Sequence, residues 1–381
     1  MIRAANLGFP RIGRNRELKK ATEAYWAGET DAVRLGETAR ELRRATWQEQ
    51  ADAGLSVIPS NDFSFYDQVL DTTAMLGAVP PRFAHAGGTV DLDTYFAMAR
   101  GTDDAPAMEM TKWFDTNYHY IVPEFHRDQR FQLGSTKPVD EFEEAKAAGI
   151  HTRPVLLGPV TYLALGKAKD AGLAPQDLLE GVLPVYEEVL KRLKAAGADW
   201  VQIDEPLLAL DLSDRQRASF RTAYTRLSAA GPKLMLATYF DGLRDNTELA
   251  TELPTHGLHV DLVRAPDQLD AVLQALPTDT VLSLGLIDGR NVWRADLSGL
   301  LPLVEKARGA VGADRLELAP SCSLLHTPID LEMEDRLDDE LKSWLAFAKQ
   351  KLHELNALAI AGTHGRDAAR HAFDAADRAI Q

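Results

Sequence analysis

Five cations stand between positions 11 and 20: Arg11, Arg14, Arg16, Lys19 and Lys20, with Glu17 the one acid among them. The whole chain carries a formal net charge of -15, so this patch runs against its background and suits an anion. Leu18, Ala21 and Tyr25 recur at helical spacing, Asn15 is a good N-cap, and Gly28 is a plausible stop. Arg16, Lys19 and Lys20 then fall in the first turns of a helix, where the dipole prefers anions. Cations there cost stability unless something negative binds beside them, and free amide N–H groups at the helix start would help to hold it. The plainer account is a solvated, arginine-rich loop and helix start.

A second set of candidates is acidic. The segment 201–212, VQIDEPLLALDL, sets Asp204 beside Glu205. Paired carboxylates suggest acid–base work, as in a glycosidase. Neighbours on a strand, however, point to opposite faces, whereas a glycosidase needs carboxylates that face each other across a bond. A structural role, holding the loops around them, is favoured. Cys322 and His326 in PSCSLLH make half of a metal site, and two ligands do not build a zinc centre, so no metal site is expected. His256 and His259 are expected to be structural. Lys112, in MEMTKWFDTNYHYIVPEF, stands alone, and a lone lysine is ordinarily solvated. Phe63, Phe65 and Tyr66 could wall a ligand site, but packing is the commoner use of such a trio. Arg290 and Arg294, in IDGRNVWRADL, either bind anions or brace loops.

These residues need a frame. Short apolar runs at 4–10, 55–59, 118–123, 154–158, 200–204, 233–239, 258–263, 281–287 and 316–320 are rich in Val, Ile and Leu with little alternation. That is the pattern of parallel strands buried on both faces. Helical patterns lie between them, for example at 140–148, 175–196, 213–230 and 265–275. The alternation points to an α/β protein with a (β/α)8 barrel and extra terminal helices. Nine candidate strands exceed the barrel's need by one, so one belongs outside the closed sheet. Polar clusters follow many strands, such as Ser60-Asn61-Asp62 and Asp288-Gly289-Arg290-Asn291, at the rim where barrel enzymes keep their sites. The barrel is expected over 1–355 and a helical tail or linker over 356–381, with 338–358 read as one long helix.

Bulk composition narrows the classes. The chain has 381 residues, 45% of them hydrophobic and 26% charged, ordinary values for a globular protein. No long uninterrupted apolar window and no signal-type N-terminus occur, so neither membrane insertion nor secretion is expected. A single cysteine forbids an internal disulfide and fits a cytoplasmic setting. Net acidity and the lack of a finger or RNA-binding signature argue against nucleic acid.

The stretch NLGFPRIGRNRELKKATEAYWAGE at 6–29 closely resembles the N-terminus of cobalamin-independent methionine synthase. The runs around Lys112, 60–72, 201–212, 287–297 and 320–326 are also similar to that family, in order, from about Asn6 to about Leu355. The resemblance implies that Arg16, Glu17, Leu18, Lys19 and Lys112 contact 5-methyltetrahydropteroyltri-L-glutamate, a string of carboxylates that a basic cluster would suit. Weaker candidates are Arg11, Arg14, Lys20, Asp204, Glu205 and Arg290. The family's catalytic zinc is held by a histidine, a glutamate and two cysteines of its C-terminal half. One cysteine cannot supply that set, so the resemblance implies the N-terminal half alone, with no catalytic residue and no metal of its own. Its expected partners are the folate and the C-terminal catalytic barrel. Two rivals remain: a self-sufficient barrel of glycosidase or decarboxylase type using Asp204, Glu205, Glu109 or Asp288, and a non-catalytic binder of folates or other polyanions.

Overall fold

The computed structural model describes residues 1–380. In chain order its strands are β1 (Arg3–Ala4), β2 (Ile58–Ser60), β3 (Met110–Lys112), β4 (His119–Ile121), β5 (Glu124–Phe125), β6 (Thr152–Leu157), β7 (Lys167–Ala168), β8 (Trp200–Asp204), β9 (Lys233–Ala237), β10 (Gly257–Asp261), β11 (Val281–Ile287) and β12 (Leu316–Pro320). Eight of them form one parallel sheet in the order β1-β12-β11-β10-β9-β8-β6-β2. A parallel bridge between Ala5 and Val57 brings the two edge strands together and closes the barrel. All seven residues of β11 are buried, which is why such strands read as unbroken apolar runs.

The surplus ninth run, 118–123, supplies β4, which pairs antiparallel with β3 outside the barrel. The run expected at 4–10 keeps only β1 and the Ala5 bridge. Beyond it the backbone turns to side-chain partners: the amide of Phe9 donates to Asp62 at 2.9 Å, and Pro10 has no amide to give.

The barrel interior is polar near its base. Arg153 on β6 donates to both oxygens of Glu317 on β12, at 2.7 and 3.1 Å, and Arg3 on β1 reaches the same carboxylate at 2.9 Å. Burial opposes the charge of Glu317, yet its two arginines hold its pKa below the usual range. His259 is buried beside them, with Nδ1 2.8 Å from the Ser283 hydroxyl, and burial pushes its pKa down to about 4. The outer helices cover the other face of the sheet. The helix Leu179–Ala196, for example, buries Val182, Tyr186, Val189 and Leu193 at helical spacing.

The long C-terminal helix expected over 338–358 is interrupted. Separate helices span Asp339–Ser343, Ala348–His364 and Arg370–Ile380. At the break, the Ala346 amide donates to Val292 O at 2.8 Å and Trp344 O accepts from Arg294 N at 2.9 Å. The loop after β11 takes groups that a continuous helix would have used itself. The position expected as the barrel's end, 355, lies inside Ala348–His364, where Leu352, Leu355 and Leu358 are all fully buried. Phe373 of the last helix is likewise buried in the main core.

Candidate functional site

Where the chain leaves β1 it forms the loop that carries the basic cluster. Gly13 has φ +82, a conformation that favours glycine, and a Cβ there would stand 2.1 Å from a carboxylate oxygen of Glu17, which would have to move. Arg16 adopts the left-handed conformation, φ 61, and is itself the N-cap of the helix Glu17–Trp26, with no side-chain capping bond. Asn15, the expected cap, instead donates its amide to Glu17 at 2.9 Å and its side chain to the same carboxylate at 3.2 Å. Desolvation opposes the charge of Glu17, but these bonds outweigh it and keep its pKa low. The helix start therefore already holds one anion, and the Leu18 amide is used by Ile12 O at 3.1 Å.

A groove of about 750 Å³ opens above this loop. Its basic side carries Arg11, Arg14, Arg16 and Lys19, and its apolar side includes Trp26, Phe65, Tyr66 and Tyr118. Leu18, 5% exposed, supports the groove from below while packing on Ala39 and Phe63. The cations differ in what they already hold. Arg11 is inserted behind the groove, where it donates to Tyr66 O at 2.6 Å and to the Tyr118 hydroxyl. Arg14 bridges Glu49 at 3.2 Å and Asp330 at 2.9 Å. Lys19 has only Glu23, at 3.7 Å, and both side chains are about half exposed. Arg16 is exposed and makes no ion pair among the described residues. The acids across the groove are partly committed: Asp330 also accepts from Lys349 and Gln350, and despite burial its pKa is lowered by these bonds.

The remaining candidates fall elsewhere. Glu17 faces its own loop, and Lys20 is exposed but outside the groove wall. Lys112 is exposed at the end of the β3–β4 hairpin, opposite His119. Its neighbour Trp113 ties back to Tyr118 O at 2.7 Å, so the hairpin that carries Lys112 also sets the aromatic side of the groove. Arg290 braces the rim: it donates to Asp115 Oδ1 at 2.7 Å and lies over the Phe240 ring. Asp204 and Glu205 face different surroundings. Glu205 is fully buried and accepts from Thr161 N at 2.7 Å, Tyr224 OH at 3.0 Å and Val160 N at 3.3 Å. It caps the helix Pro159–Leu165, and a Cβ at Gly158 would stand 2.1 Å from it. Asp204 looks into the barrel mouth, with Gln202 at 2.7 Å and Tyr239 at 3.0 Å. Burial pushes both carboxyls up to about 7.

Phe65 and Tyr66 line the groove, whereas Phe63 packs beneath it. Trp26 and the segment from Thr327 to Glu334 also line the groove and carried no sequence signal of their own; only their fold-level neighbours reveal them. Cys322 is fully buried, and desolvation raises its thiol pKa far above the thiolate range. His326 is mostly buried and neutral, with its pKa pushed down to about 4 by desolvation. Among the described residues no three His, Cys, Asp or Glu side chains come together to hold a metal ion, so the donor set of a zinc centre does not fit here.

A closed parallel barrel that carries a basic, aromatic-walled groove on its rim defines a β/α-barrel protein. Residues 3–312 match the family profile described as cobalamin-independent synthase, N-terminal domain. The chain belongs to that family and corresponds to that domain. A 5-methyltetrahydropteroyltriglutamate–homocysteine methyltransferase of Caulobacter vibrioides is 57% identical, covering 100% of this chain and 52% of the relative. One of the same name from Mesorhizobium japonicum is 58% identical over 98% of this chain and 51% of the relative. The chain thus spans about half the length of the curated relatives it matches. Among solved structures, a B12-independent methionine synthase from Shewanella sp. W3-18-1 shares the fold at TM-score 0.63 and 15% identity, covering 87% of this chain and 89% of that one. No helix among the described residues is long and apolar enough to cross a membrane.

Proposed function

We propose that this chain is the folate-holding half of a cytoplasmic enzyme that transfers the methyl group of 5-methyltetrahydropteroyltri-L-glutamate to homocysteine. The observation that carries the reading is the groove in which Arg16 and Lys19 stand exposed and little paired beside an aromatic wall. Carboxylates of the glutamate tail would replace water at these cations, and Tyr66, Phe65 and Trp26 would take the flat, apolar part of the ligand. Lys112, at the hairpin end, would meet the tail as a point charge. Such contacts lie away from the reacting atoms and supply orientation and binding energy.

The chemistry itself belongs, in this reading, to a second barrel, where a zinc ion would lower the pKa of the homocysteine thiol. Among the described residues no three His, Cys, Asp or Glu side chains gather to hold such an ion. The chain is therefore proposed to be inactive alone. Ile12, Leu210, Trp293 and Met333 are exposed on loops that follow strand ends, which suits a rim that packs against another barrel.

The test is calorimetric titration with methyltetrahydrofolate carrying one or three glutamates, at low and moderate salt. A comparison protein carries Arg16→Ala, Lys19→Ala and Lys112→Ala together. Salt-sensitive preference for the triglutamate, lost in the altered protein, is the expected result. Equal affinity for both ligands, or full retention of binding in the altered protein, would remove the groove from the tail.

A further inference from the structure

A separate cavity of about 70 Å³ lies at the barrel mouth, on the C-terminal ends of the strands. Asp62, Asp71, Asp204, Arg11, Lys137 and His326 are among its lining residues. Two of these cancel: Lys137 meets Asp71 at 3.2 Å. The others do not. Asp62 accepts from the Phe9 amide at 2.9 Å, and Asp204 from Gln202 and Tyr239, but neither lies within ion-pair distance of a cation among the described residues. Arg11, deep behind the groove, spends one guanidinium nitrogen on Tyr66 and Tyr118 and meets no carboxylate at ion-pair distance among the described residues. Below Asp204, Gln202 is 0% exposed, and its Oε1 has no hydrogen-bond partner.

One cavity is thus lined by two partly exposed carboxyls and a guanidinium, none of them at ion-pair distance from an opposite charge among the described residues. Backbone and aromatic ties keep these groups from quenching one another. Burial favours the neutral form of both carboxyls, and a ligand bearing both signs would draw them into their charged form by pairing with them and with Arg11 together. We propose that the barrel mouth binds a small zwitterion of the α-amino-acid class, with its ammonium on Asp62 and Asp204 and its carboxylate on Arg11. The narrow volume restricts the ligand to a small side chain. Neutral His326 and the Tyr239 hydroxyl add dipoles that can accept or donate without a further charge.

The proposal is tested by titrating the intact chain with glycine, L-serine, L-leucine, N-acetylglycine and glycine methyl ester, followed by NMR or calorimetry. Glycine and serine are expected to bind. N-acetylglycine lacks the ammonium and the ester lacks the carboxylate, so each should bind about tenfold or more weakly. Leucine should be excluded by size. Asp62→Asn and Asp204→Asn should each weaken glycine about tenfold. No binding of any amino acid at concentrations on the order of tens of millimolar would overturn the proposal. So would equal binding of N-acetylglycine, or undiminished binding in both variants with native melting temperatures. The ligand series needs no altered protein, so a variant that fails to fold cannot obscure the outcome. Its outcome is distinguishable from that of the folate titration, because the ligands differ and Asp62 and Asp204 line only this cavity, although Arg11 and Leu325 line both.

Discussion

The barrel floor and the rim groove both gather arginines, and they use them in opposite ways. On the floor, Arg153 and Arg3 converge on Glu317, whose side chain is fully buried. In the groove, Arg16 and Lys19 stand in solvent, with only Glu23 at 3.7 Å nearby. A buried cation must be neutralised by the protein itself, because no water is there to do it. An exposed cation can wait for a ligand at little expense. Burial, rather than residue type, separates charges that hold the fold from charges that remain available.

The sharpest break of this contrast is Glu317→Ala, which strands buried Arg153 and leaves partly exposed Arg3 without its partner. It should cost about 3–5 kcal/mol in urea unfolding. A loss under about 1 kcal/mol would mean that the floor is wetter than its burial indicates. Next is Glu205→Ala, which removes three hydrogen bonds and a helix cap and should cost about 2–3 kcal/mol. Glu205→Gln should cost less, because burial already raises this carboxyl to about 7 and favours its neutral form. Equal losses in the two would show that charge, not shape, is what Thr161 and Tyr224 require.

A pH series comes third. Burial raises Asp62, Asp67, Asp204 and Glu205 to about 7. The folded state then binds protons that the unfolded chain has released. Their contribution to stability is complete below the ordinary carboxylate range and is lost as pH rises through about 7. Glu124, Glu317 and Asp330 are shifted down and act oppositely only at acid pH, whereas His259 and His326, lowered to about 4, add stability as pH rises through the ordinary histidine range and offset part of the effect. Melting temperature should therefore be higher near about pH 6 than near about pH 8, since each raised carboxyl contributes about 1.4 kcal/mol over that interval and each histidine offsets about 0.8 kcal/mol. A flat profile would show that these carboxyls remain hydrated. The smallest effect on the fold is expected in the groove. Arg16→Ala with Lys19→Ala should change stability by no more than about 0.5 kcal/mol while weakening the triglutamate about tenfold. A large loss of stability would erase the distinction between floor and rim.

Much of the frame was legible because buried parallel strands leave a direct mark. The run at 200–204 is β8 to the residue, and those at 281–287 and 316–320 are β11 and β12. The excess of one strand was legible as a count, but not which run it was. The segment 118–123 is as apolar as a barrel strand, and only its pairing with β3 places it outside. The cap expected at Asn15 failed because the helix starts one residue later, with left-handed Arg16 as its N-cap, and the Asn15 donors tie the loop to Glu17. The helix expected over 338–358 broke because the loop after β11 competes for its backbone groups.

The basic cluster, the aromatic runs and the single cysteine are properties of the chain by itself. They determined the family resemblance and excluded a two-cysteine zinc site here, because composition cannot be altered by folding. Which cation is committed and which is free was decided only by tertiary structure. Arg11 and Arg16 lie five positions apart with the same guanidinium, yet one is enclosed by Tyr66 and Tyr118 and the other is left in water. The partners of Arg11 come from the β3–β4 hairpin and from the loop after β2, distant in sequence, and the free energy of a charge depends on what surrounds it in space.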